Sequence, residues 1–348
     1  MKDPSSLSSL SDPAALRVFL GRQGTGADIY QVLQSLVEAG YGDLPRPGSS
    51  RTLRRWQMLA AAAQFDLSLA KLYESHADAL AILHELGHAD LSMRGGIWGV
   101  WCAEPPSHRV QACPRDSGGK SVRLHGAKAW CSGASHVTQA LVSAWNDQGH
   151  SCLVALDLDQ PEIEIVHEAW GAVGMAATAS VDIVFHGAAG TLVGAPGAYL
   201  DRPGFYHGAA GVAACWYGAA SAIAQRVLDS VRSHQDAPHS LAHLGALDLV
   251  LTQARHQLRI AAAEIDANPG ESCQQAVRRA RLAAESAAET ILIRAPRAFG
   301  PGPMCQDVRI ARLLADLPVF IRQSHAERDL QTHGQALAEQ ATEALWTL

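Results

Sequence analysis

Two histidines separated by three residues form the first pattern in this sequence whose residue types and spacing could do chemistry. The string His84-Glu85-Leu86-Gly87-His88 fits the H-E-x-x-H pattern, in which two imidazoles on one helix face bind zinc and the glutamate acts as a base. A catalytic zinc needs a third protein ligand, but Leu91 and Arg94 occupy the positions where the extended motif has glycine and histidine. A substitute ligand, Glu104, lies on the first predicted strand. We therefore interpret the string as a helix end terminated by Gly87, and we expect no bound metal.

Two other catalytic or binding patterns find no support. The string Gly21-Arg22-Gln23-Gly24-Thr25-Gly26 is rich in glycine, but no strand of a βαβ unit precedes it. It predicts a turn and not a dinucleotide- or phosphate-binding loop. The Gly-x-Ser-x-Gly elbow that carries the nucleophile of α/β-hydrolases is absent.

Composition and charge exclude further classes of protein. The chain has 348 residues, 48% apolar and 18% charged, as expected for a globular protein of two or three domains. Its net charge is -6 and it has no strong basic cluster, so we expect no nucleic-acid partner. No run approaches the roughly 18 apolar residues of a membrane span. Seven cysteines without a CxxC pair, and the polar segment 1–13, indicate a cytoplasmic protein with free thiols and no signal peptide.

Helical periodicity covers the first and the last part of the chain. Apolar residues recur at helical spacing from Asp28 to Gly40, and two more helices are predicted over 51–63 and 66–86. After Pro203, four predicted helices with apolar stripes have the pattern of an up-and-down four-helix bundle. These helices cover 208–234, 240–267, 271–295 and 306–334.

Between the helical parts, after Arg94-Gly95-Gly96, short apolar runs alternate with turn residues such as Asp116–Gly119. This alternation predicts a small antiparallel barrel or sandwich. The predicted strands are Ile97–Ala103, Arg109–Cys113, Ser121–Leu124, Leu141–Ala144, Leu153–Asp157, Glu162–Val166 and Ser180–Phe185. The predicted fold class is α+β multidomain, with an N-terminal α-helical domain (1–93), a middle β domain (94–200) and a C-terminal helical bundle (201–348).

Three segments resemble the acyl-CoA dehydrogenase family. Val100-Trp101-Cys102-Ala103-Glu104-Pro105 is similar to a family strand that ends in Thr-Glu-Pro. Leu124–Ala134, which contains Gly126-Ala127-Lys128-Ala129-Trp130, is similar to a Gly-x-Lys-x-Trp-Ile-Thr-Asn strand, and Val173–Ser180 to a Gly-x-Arg-x-Ser-x-Thr stretch. The α–β–α order and the chain length agree as well, and the resemblance covers 65–334. The chain is thus similar to a divergent member of this family.

The resemblance implies a bound FAD whose isoalloxazine lies between the β domain and the C-terminal helices. Trp130 would pack against the flavin, Ser132 would hydrogen-bond near N5, and backbone groups of Cys102 and Ala103 would face the pyrimidine edge. An aromatic wall with a few fixed donors suits a flat aromatic cofactor. Because Ala103 replaces the usual threonine of the family, one side-chain hydrogen bond to the flavin is not expected.

The segment Arg297–Pro303 is similar to the Gln-x-x-Gly-Gly-x-Gly turn of the family, which approaches the adenosine diphosphate of the FAD in a neighbouring subunit. Gly300 and Gly302 permit a close backbone approach to phosphate. Arg297, in place of glutamine, can pair with a phosphate directly. The resemblance therefore implies a homodimer or homotetramer.

The residue that usually abstracts the substrate proton is missing. Asp316 matches the aspartate of an Arg-Asp pair in the family, and the catalytic glutamate follows eight residues later, where this chain has Ser324. A branch of the family carries its base on the first bundle helix, but here Gly211–Trp216 contains no carboxylate. A serine hydroxyl is a poor base at neutral pH, whereas the adjacent His325 titrates in the useful range.

The expected function is oxidation of an acyl thioester, linked to CoA or another carrier, at Cα–Cβ with FAD as hydride acceptor. His325, or a repositioned carboxylate, would be the base, and the electron acceptor is unknown. A flavin-dependent monooxygenase on the same fold is the first alternative, because such relatives lack the glutamate and carry a histidine in the corresponding helix. A non-catalytic relative that retains only the fold is the second alternative.

Overall fold

Helices precede and follow a set of strands in the computed structural model, which describes residues 12–24, 26–93, 95–115, 120–167, 170–233, 237–339 and 346. In the described part, helices precede the first strand, and the predictions of α2, α3 and α4 are confirmed within a few residues, whereas the sequence pattern does not predict α1 and α5. The N-terminal helices are α1 (Pro13–Gly21), α2 (Ile29–Glu38), α3 (Thr52–Phe65), α4 (Leu67–Glu85) and α5 (Ala89–Ser92).

Aspartates fix the starts of three of these helices. The Asp12 side chain accepts the Ala14 N–H, Asp28 accepts the Tyr30 N–H at 2.9 Å, and Asp66 accepts the Leu69 N–H at 2.8 Å. Each bond satisfies an N–H group that has no partner inside the helix. These aspartates therefore set where the chain leaves its loops.

One sheet of seven strands follows in the described residues. Its strands are β1 (Trp98–Trp101), β2 (Val110–Pro114), β3 (Ser121–Cys131), β4 (Gln139–Trp145), β5 (Ser151–Asp157), β6 (Ile163–Val166) and β7 (Val181–Val193). Neighbours follow the order β1-β4-β2-β3-β7-β5, β6 pairs with β7, and β4 also pairs with β5. The β4–β5 ladder closes the sheet on itself, which agrees with the predicted small barrel. The predicted turn at Asp116–Gly119 lies outside the described residues.

The expectation of a wholly antiparallel sheet is wrong at one strand pair and at one further contact. β1 pairs with β4 in parallel from Trp98 opposite Gln139, and β2 meets β4 in parallel at Gln111 opposite Trp145. The remaining ladders are antiparallel. Parallel neighbours need a long connection, and the β2–β3 hairpin lies between β1 and β4 in the chain.

Strands β3 and β7 run several residues past their predicted ends. The extension of β7 includes Gly187-Ala188-Ala189-Gly190, which has low strand propensity. Packing explains the small residues, because a Cβ on Gly190 would lie 2.4 Å from the Val154 side chain. The close approach of two strands, and not propensity, determines this part of the sheet.

The C-terminal helices pack against the N-terminal ones. Residues of both groups, from Leu16 and Trp56 to Ile291 and Ile321, form one buried hydrophobic cluster. None of the described helices is long and apolar enough to cross a membrane. These helices are α6 (Ala198–Asp201), α7 (Gly204–Ser233), α8 (Pro238–Ala267), α9 (Gln274–Phe299), α10 (Pro301–Gln306), α11 (Val308–Phe320) and α12 (Glu327–Ala338).

The prediction of one helix over 306–334 is wrong. Helix α11 ends at Phe320, a short 3₁₀ turn follows, and Ser324 has an extended backbone with ψ 148°. Ala326 has φ 44° and ψ -112°, a conformation that few non-glycine residues adopt. The side chain of Ser324 accepts the Ala326 N–H, and Asp329 accepts the His325 N–H, so local side chains compete with the helix for these backbone groups.

Helix α4 covers the outer strand β1. Ser75 Oγ accepts the Val100 N–H at 2.8 Å, and His76 Nδ1 accepts the Trp98 N–H at 3.2 Å. Burial, together with the nearby charge of Arg55, lowers the pKa of His76 to about 4. His76 is therefore neutral at physiological pH, as an acceptor nitrogen requires.

Asp316 joins the segment before β7 to helix α11. Its buried carboxylate accepts the Met175 N–H at 2.6 Å and lies 3.5 Å from the Ser68 hydroxyl. A Cβ on Gly174 would lie 2.1 Å from the Ala315 carbonyl oxygen, so the two segments are in close contact. Burial raises the pKa of Asp316 from 3.8 to about 6, against the lowering effect of the Met175 N–H.

We expect Asp316→Asn to remove a pH dependence of stability. Because the folded pKa is raised, the contribution of Asp316 to the free energy of unfolding is greatest below about pH 4 and is lost as the pH rises through about 6. Urea unfolding at several pH values should show the difference between wild type and Asp316→Asn falling across this window. Asp229→Asn, at an exposed site on α7, is the control for the loss of one carboxylate. A flat difference for Asp316→Asn would contradict the prediction.

Candidate active site

A buried lysine links strand β3 to strand β4 and to the segment that follows β1. Lys128 Nζ, on β3, donates to Glu104 Oε1 at 2.6 Å and to Ser143 Oγ at 2.6 Å. Trp145 Nε1 donates to the other oxygen of Glu104 at 3.0 Å. Burial acts to raise the pKa of Glu104, but the hydrogen bonds from Lys128, Ser143 and Trp145 outweigh it and lower the pKa. The Glu104 carboxylate is therefore ionised opposite the Lys128 ammonium.

This ion pair explains Glu104 and Lys128, two residues of the segments that resemble the family and to which the sequence analysis assigns no role. The Glu-Pro at the end of the first segment and the Gly-x-Lys of the second are the two ends of one contact. The half-buried Cys102 and Ala103 lie between β1 and Glu104. The pair thus fixes the backbone that the sequence assigns to the pyrimidine edge of a flavin.

Trp130 stands out from the sheet. Its side chain is 55% exposed, and its φ is 59°. The β3–β7 register breaks between Lys128 and Cys131, which turns the indole away from the ladder. Asp182 accepts the Trp130 N–H at 3.3 Å and contacts His108 Nε2 at 3.0 Å.

Hydroxyl groups form a chain beside Trp130. Ser132 Oγ lies 2.8 Å from Ser180 Oγ, which lies 2.9 Å from Thr178 Oγ1. Thr178 donates in turn to the Met175 carbonyl at 2.7 Å. The second and third segments that resemble the family therefore meet. The row of hydrogen-bonded hydroxyl groups orients the half-buried hydroxyl of Ser132.

Backbone strain is concentrated in these segments. The described part of the chain contains six non-glycine residues with positive φ, and Trp130, Met175, Ala179 and Ala326 are four of them. Such residues cost of the order of 1–3 kcal/mol each and are concentrated at functional sites. The strained positions thus lie in three of the segments that the resemblance singles out.

Ser324 and His325 have different surroundings. Ser324 is buried, and its hydroxyl donates to Glu285 Oε2 on α9 at 2.5 Å. The His325 side chain is 60% exposed, with Nδ1 3.7 Å from Asp329 Oδ1. Sequence reasoning missed Glu285, because 39 residues separate it from Ser324 and no motif contains it.

Arg281 connects the two positions at which the family places a base. Its guanidinium donates to the Ala209 carbonyl at 2.6 Å and to the Gln323 carbonyl at 3.4 Å, and it lies 5.0 Å from the Trp216 ring centroid. Burial lowers the pKa of Arg281, although Asp329 and neighbouring glutamates act in the opposite direction. The Ser324 loop and the first long bundle helix therefore face each other across a cation.

Within the described part of one chain, the turn after Arg297 is not linked to Trp130 or Ser132. Arg297 is exposed on the last turn of α9, and Gly300 ends the helix with φ 68°. A Cβ on Gly300 or Gly302 would meet no atom within 4 Å. In the described residues, no hydrogen bond or ion pair links this turn to Trp130 or Ser132. The turn is open to a ligand or to a second copy of the chain.

The H-E-x-x-H string is not a metal site in this geometry. Helix α4 ends at Glu85, and Gly87 has φ 78°, so the two histidines do not share a helix face. Glu85 binds Arg202 Nη1 at 2.8 Å and the Gly204 N–H at 2.9 Å. No group of three potential metal ligands occurs among the residues that the structure describes.

Two cavities lie away from these residues. One of about 330 Å³ is at the start of β1, beside Trp98, Gln139 and Asp157. One of about 160 Å³ lies beside Gly24, Arg312 and other residues of α3, α4 and α11. Trp130 and Ser324 line neither, so we place the candidate site by its side chains and not by cavity volume.

Comparison with known proteins identifies the fold. No family model and no curated protein matches the sequence. The structure is similar to TdsC, the dibenzothiophene monooxygenase of Paenibacillus sp. A11-2, in complex with FMN and indole, at TM-score 0.80 and 18% identity over 98% of each chain. It is also similar to KijD3 in complex with FMN and dTDP-3-amino-2,3,6-trideoxy-4-keto-3-methyl-D-glucose, at TM-score 0.79 and 18% identity over 99% of this chain and 96% of that one.

A dehydrogenase shares the same architecture. Butyryl-CoA dehydrogenase from Megasphaera elsdenii has TM-score 0.73 and 17% identity over 96% of this chain and 92% of its own. The chain therefore has the acyl-CoA dehydrogenase fold, as the resemblance predicts. At this level of identity the likeness establishes the fold and not the reaction.

The Lys128–Glu104 pair gives an asymmetric prediction for stability. Glu104→Ala leaves the ammonium of Lys128 buried without its charged partner and should cost about 3–5 kcal/mol in the free energy of unfolding. Lys128→Met should cost less, because Glu104 is partly exposed and water can replace the lost bond. The control Glu164→Gln, in an exposed pair with His186, should change stability by less than about 1 kcal/mol. Equal losses in the first two variants would contradict the role of burial.

Proposed function

We propose that this protein is a flavin-dependent oxidoreductase whose isoalloxazine ring packs against Trp130. The observation that carries the proposal is the exposed indole of Trp130 on strained backbone, beside the oriented hydroxyl of Ser132. An exposed aromatic face and a fixed hydrogen-bonding group are what a flat cofactor requires. Cys102 and Ala103 would offer backbone groups to the pyrimidine edge. The FMN in the TdsC and KijD3 structures supports a flavin at this fold.

For the cofactor we propose FAD, with its phosphates reached by a second copy of the chain. Arg297, Gly300 and Gly302 form the exposed turn that would approach them, and an arginine makes charge-assisted bonds to phosphate. Large apolar side chains exposed on and beside the bundle support a dimer or tetramer. They are Leu241, Leu249, Ile260, Ile293, Met304 and Val308. FMN is the second candidate, on the likeness to TdsC and KijD3.

Among flavin reactions, the site favours monooxygenation of a small polar or aromatic substrate. The elements that would face the substrate carry charge where an acyl chain would need apolar contacts: Glu74 and Glu285 are buried, and Arg281 lies between α7 and the Ser324 loop. Burying charge against an alkyl chain is unfavourable. A bound flavin, once reduced, supplies electrons to dioxygen, and this chemistry needs no α-proton base. The ligands of TdsC and KijD3, indole and an amino-sugar nucleotide, are of this polar or aromatic kind.

Oxidation of an acyl thioester at Cα–Cβ is the second candidate. The contact between Ser324 and Glu285 favours it, because a carboxylate lies one hydroxyl away from the position of the family base. We propose His325 and Ser324 as the catalytic residues of either reaction. The exposed imidazole of His325 lies next to Ser324 in the chain and is open to an incoming substrate.

Flavin binding can be tested with two variants that separate FAD from FMN. Trp130→Ala should weaken binding of both flavins, because both present the same ring to the indole. Arg297→Met should weaken binding of FAD by about tenfold, the effect of roughly 1.4 kcal/mol, and leave FMN unchanged. Fluorescence titration of the apoprotein measures the affinities of wild type and both variants for each flavin. Wild type that takes up neither flavin would refute the flavin proposal, and equal effects of Arg297→Met on both would refute the role of the turn.

The reaction can be tested by comparing two half-reactions of the flavin-loaded protein. If monooxygenation is correct, indole or an amino-sugar nucleotide should yield an oxygenated product when reduced flavin meets air. Butyryl-CoA and longer acyl-CoAs should leave the oxidised flavin absorbance unchanged without oxygen. Bleaching of the flavin by an acyl-CoA would instead establish the second candidate.

A further inference from the structure

The buried pair of Ser324 and Glu285 has a geometry beyond that of a loop contact. Both residues are only 6% exposed, and Ser324 Oγ lies 2.5 Å from Glu285 Oε2 but 3.4 Å from Asp329 Oδ2. A hydroxyl has one hydrogen, so the shorter contact takes it. The same oxygen accepts the Ala326 N–H at 3.1 Å. One lone pair of Ser324 Oγ therefore stays open for another hydrogen.

Glu285 is held by charge on its other side. Its Oε1 accepts from Arg322 Nη2 at 3.0 Å, and the guanidinium of Arg281 lies on the same helix one turn earlier. Two cations thus lie beside the buried carboxylate of Glu285. The charged and titratable groups that face the pair from the surrounding elements are Arg281 and Glu289 on α9, Arg322, His325 and Asp329 around the turn, and Glu74 on α4.

We propose that Glu285, acting through Ser324, accepts the proton that the substrate loses when it is oxidised. The proposal rests on the proposed flavin function and deepens it. Monooxygenation removes no α-proton, but a nitrogen or ring carbon that gains oxygen still loses one hydrogen as a proton. Ser324 is the residue that touches the substrate, and Glu285 is a positioning residue that holds the Ser324 hydroxyl and takes its proton. The carboxylate that the family carries on the turn is thereby supplied from α9.

The proton step balances within the protein. The hydrogen on the reacting atom of the substrate moves to the open lone pair of Ser324 Oγ, and its bonding electrons stay with the substrate. At the same time the Ser324 hydroxyl hydrogen moves along the 2.5 Å contact to Glu285 Oε2. Serine ends as a hydroxyl again, and Glu285 ends as a neutral acid. A hydroxyl that is a poor base alone becomes competent when an adjacent base accepts its proton.

Glu289 provides a matched control on the same helix. It lies one turn after Glu285 and accepts from the same Arg322 Nη2 at 3.0 Å, but its side chain is 52% exposed. It has no hydrogen bond to Ser324 among the described residues. Glu285→Gln and Glu289→Gln therefore remove the same charge beside the same arginine, and only the first removes the proton acceptor behind Ser324.

The first test measures the carboxylate without any substrate. Infrared pH titration of the flavin-loaded protein, as the difference between wild type and Glu285→Gln, isolates the carboxylate band of Glu285. In the Ser324→Ala background the Glu285 band should titrate at a midpoint displaced by at least half a pH unit, because the hydroxyl donor is lost. The Glu289 band, isolated in the same way, should not move. A Glu285 band that is insensitive to Ser324→Ala would overturn the proposal.

The second test measures turnover with whichever substrate reduces the flavin or is oxygenated when the reduced flavin meets air. Glu285→Gln should lower the rate by about 10²–10⁴-fold and remove the loss of rate on the acid side of the pH profile. Glu285→Asp should recover part of the rate, Glu289→Gln should stay within about twofold, and Glu285→Gln/Ser324→Ala should be no slower than Glu285→Gln alone. Each variant must melt and bind flavin as wild type does.

The outcomes separate this inference from the proposed function. Wild type that binds no flavin refutes the proposed function, and the infrared measurement on the flavin-free protein still decides whether Ser324 and Glu285 are coupled. Wild type that binds flavin and turns over, together with a full rate or an unchanged acid limb in Glu285→Gln, overturns the relay alone. Equal losses in Glu285→Gln and Glu289→Gln overturn it as well, because they indicate a loss of charge and not of a proton acceptor. If Glu285→Gln does not fold, Ser324→Ala decides: an unchanged rate overturns the relay.

Discussion

The fully buried ammonium of Lys128 is the constraint on which the geometry of the candidate site depends. An isolated charge in the interior is so unfavourable that its partners must stay in place, and here they come from the end of β1 and from β4. Satisfying one amine thus fixes where β3, β4 and the segment after β1 meet. Two residues after Lys128 the ladder breaks and Trp130 turns outward, and two residues before Glu104 lies Cys102. The exposed indole and the backbone beside it take their spacing from this contact.

Much of the fold could be predicted from the sequence, because it follows from local periodicity. The spacing of apolar residues locates α2, α3, α4 and the long C-terminal helices, and the short runs after Gly96 locate the strands. The failures occur where contacts distant in the chain outweigh local preference. Gly187–Gly190 is part of a strand because it pairs with β3 and Gly190 lies against Val154, and the parallel pairing of β1 with β4 has no local signal. The break at Ser324 depends on hydrogen bonds to its side chain that a helical stripe does not reveal.

The candidate site could be predicted only in part, for a related reason. The sequence motifs identify Trp130, Ser132 and Ser324, because the residues around them resemble motifs of the family. Glu285 and Arg281 lie within an ordinary amphipathic helix, and their meaning comes from what faces them across the bundle. Strain offers a signal that the sequence lacks, because a tryptophan or an alanine with positive φ is visible only in the backbone. Glu285, Arg281 and the positive φ of Ala326 together describe the Ser324 loop, which charged groups hold in an uncommon conformation.

The way α4 covers β1 has a consequence for how copies of this chain can meet. An uncovered outer strand is a template on which another chain can add a strand, and this is a common route to aggregation. Here the backbone N–H groups of Trp98 and Val100, which an added strand would need, already donate to side chains of helix α4. Strand addition at this edge would require the neutral imidazole of His76 and the hydroxyl of Ser75 to leave. Pairing with a strand of another chain is thereby blocked at the outer edge of β1.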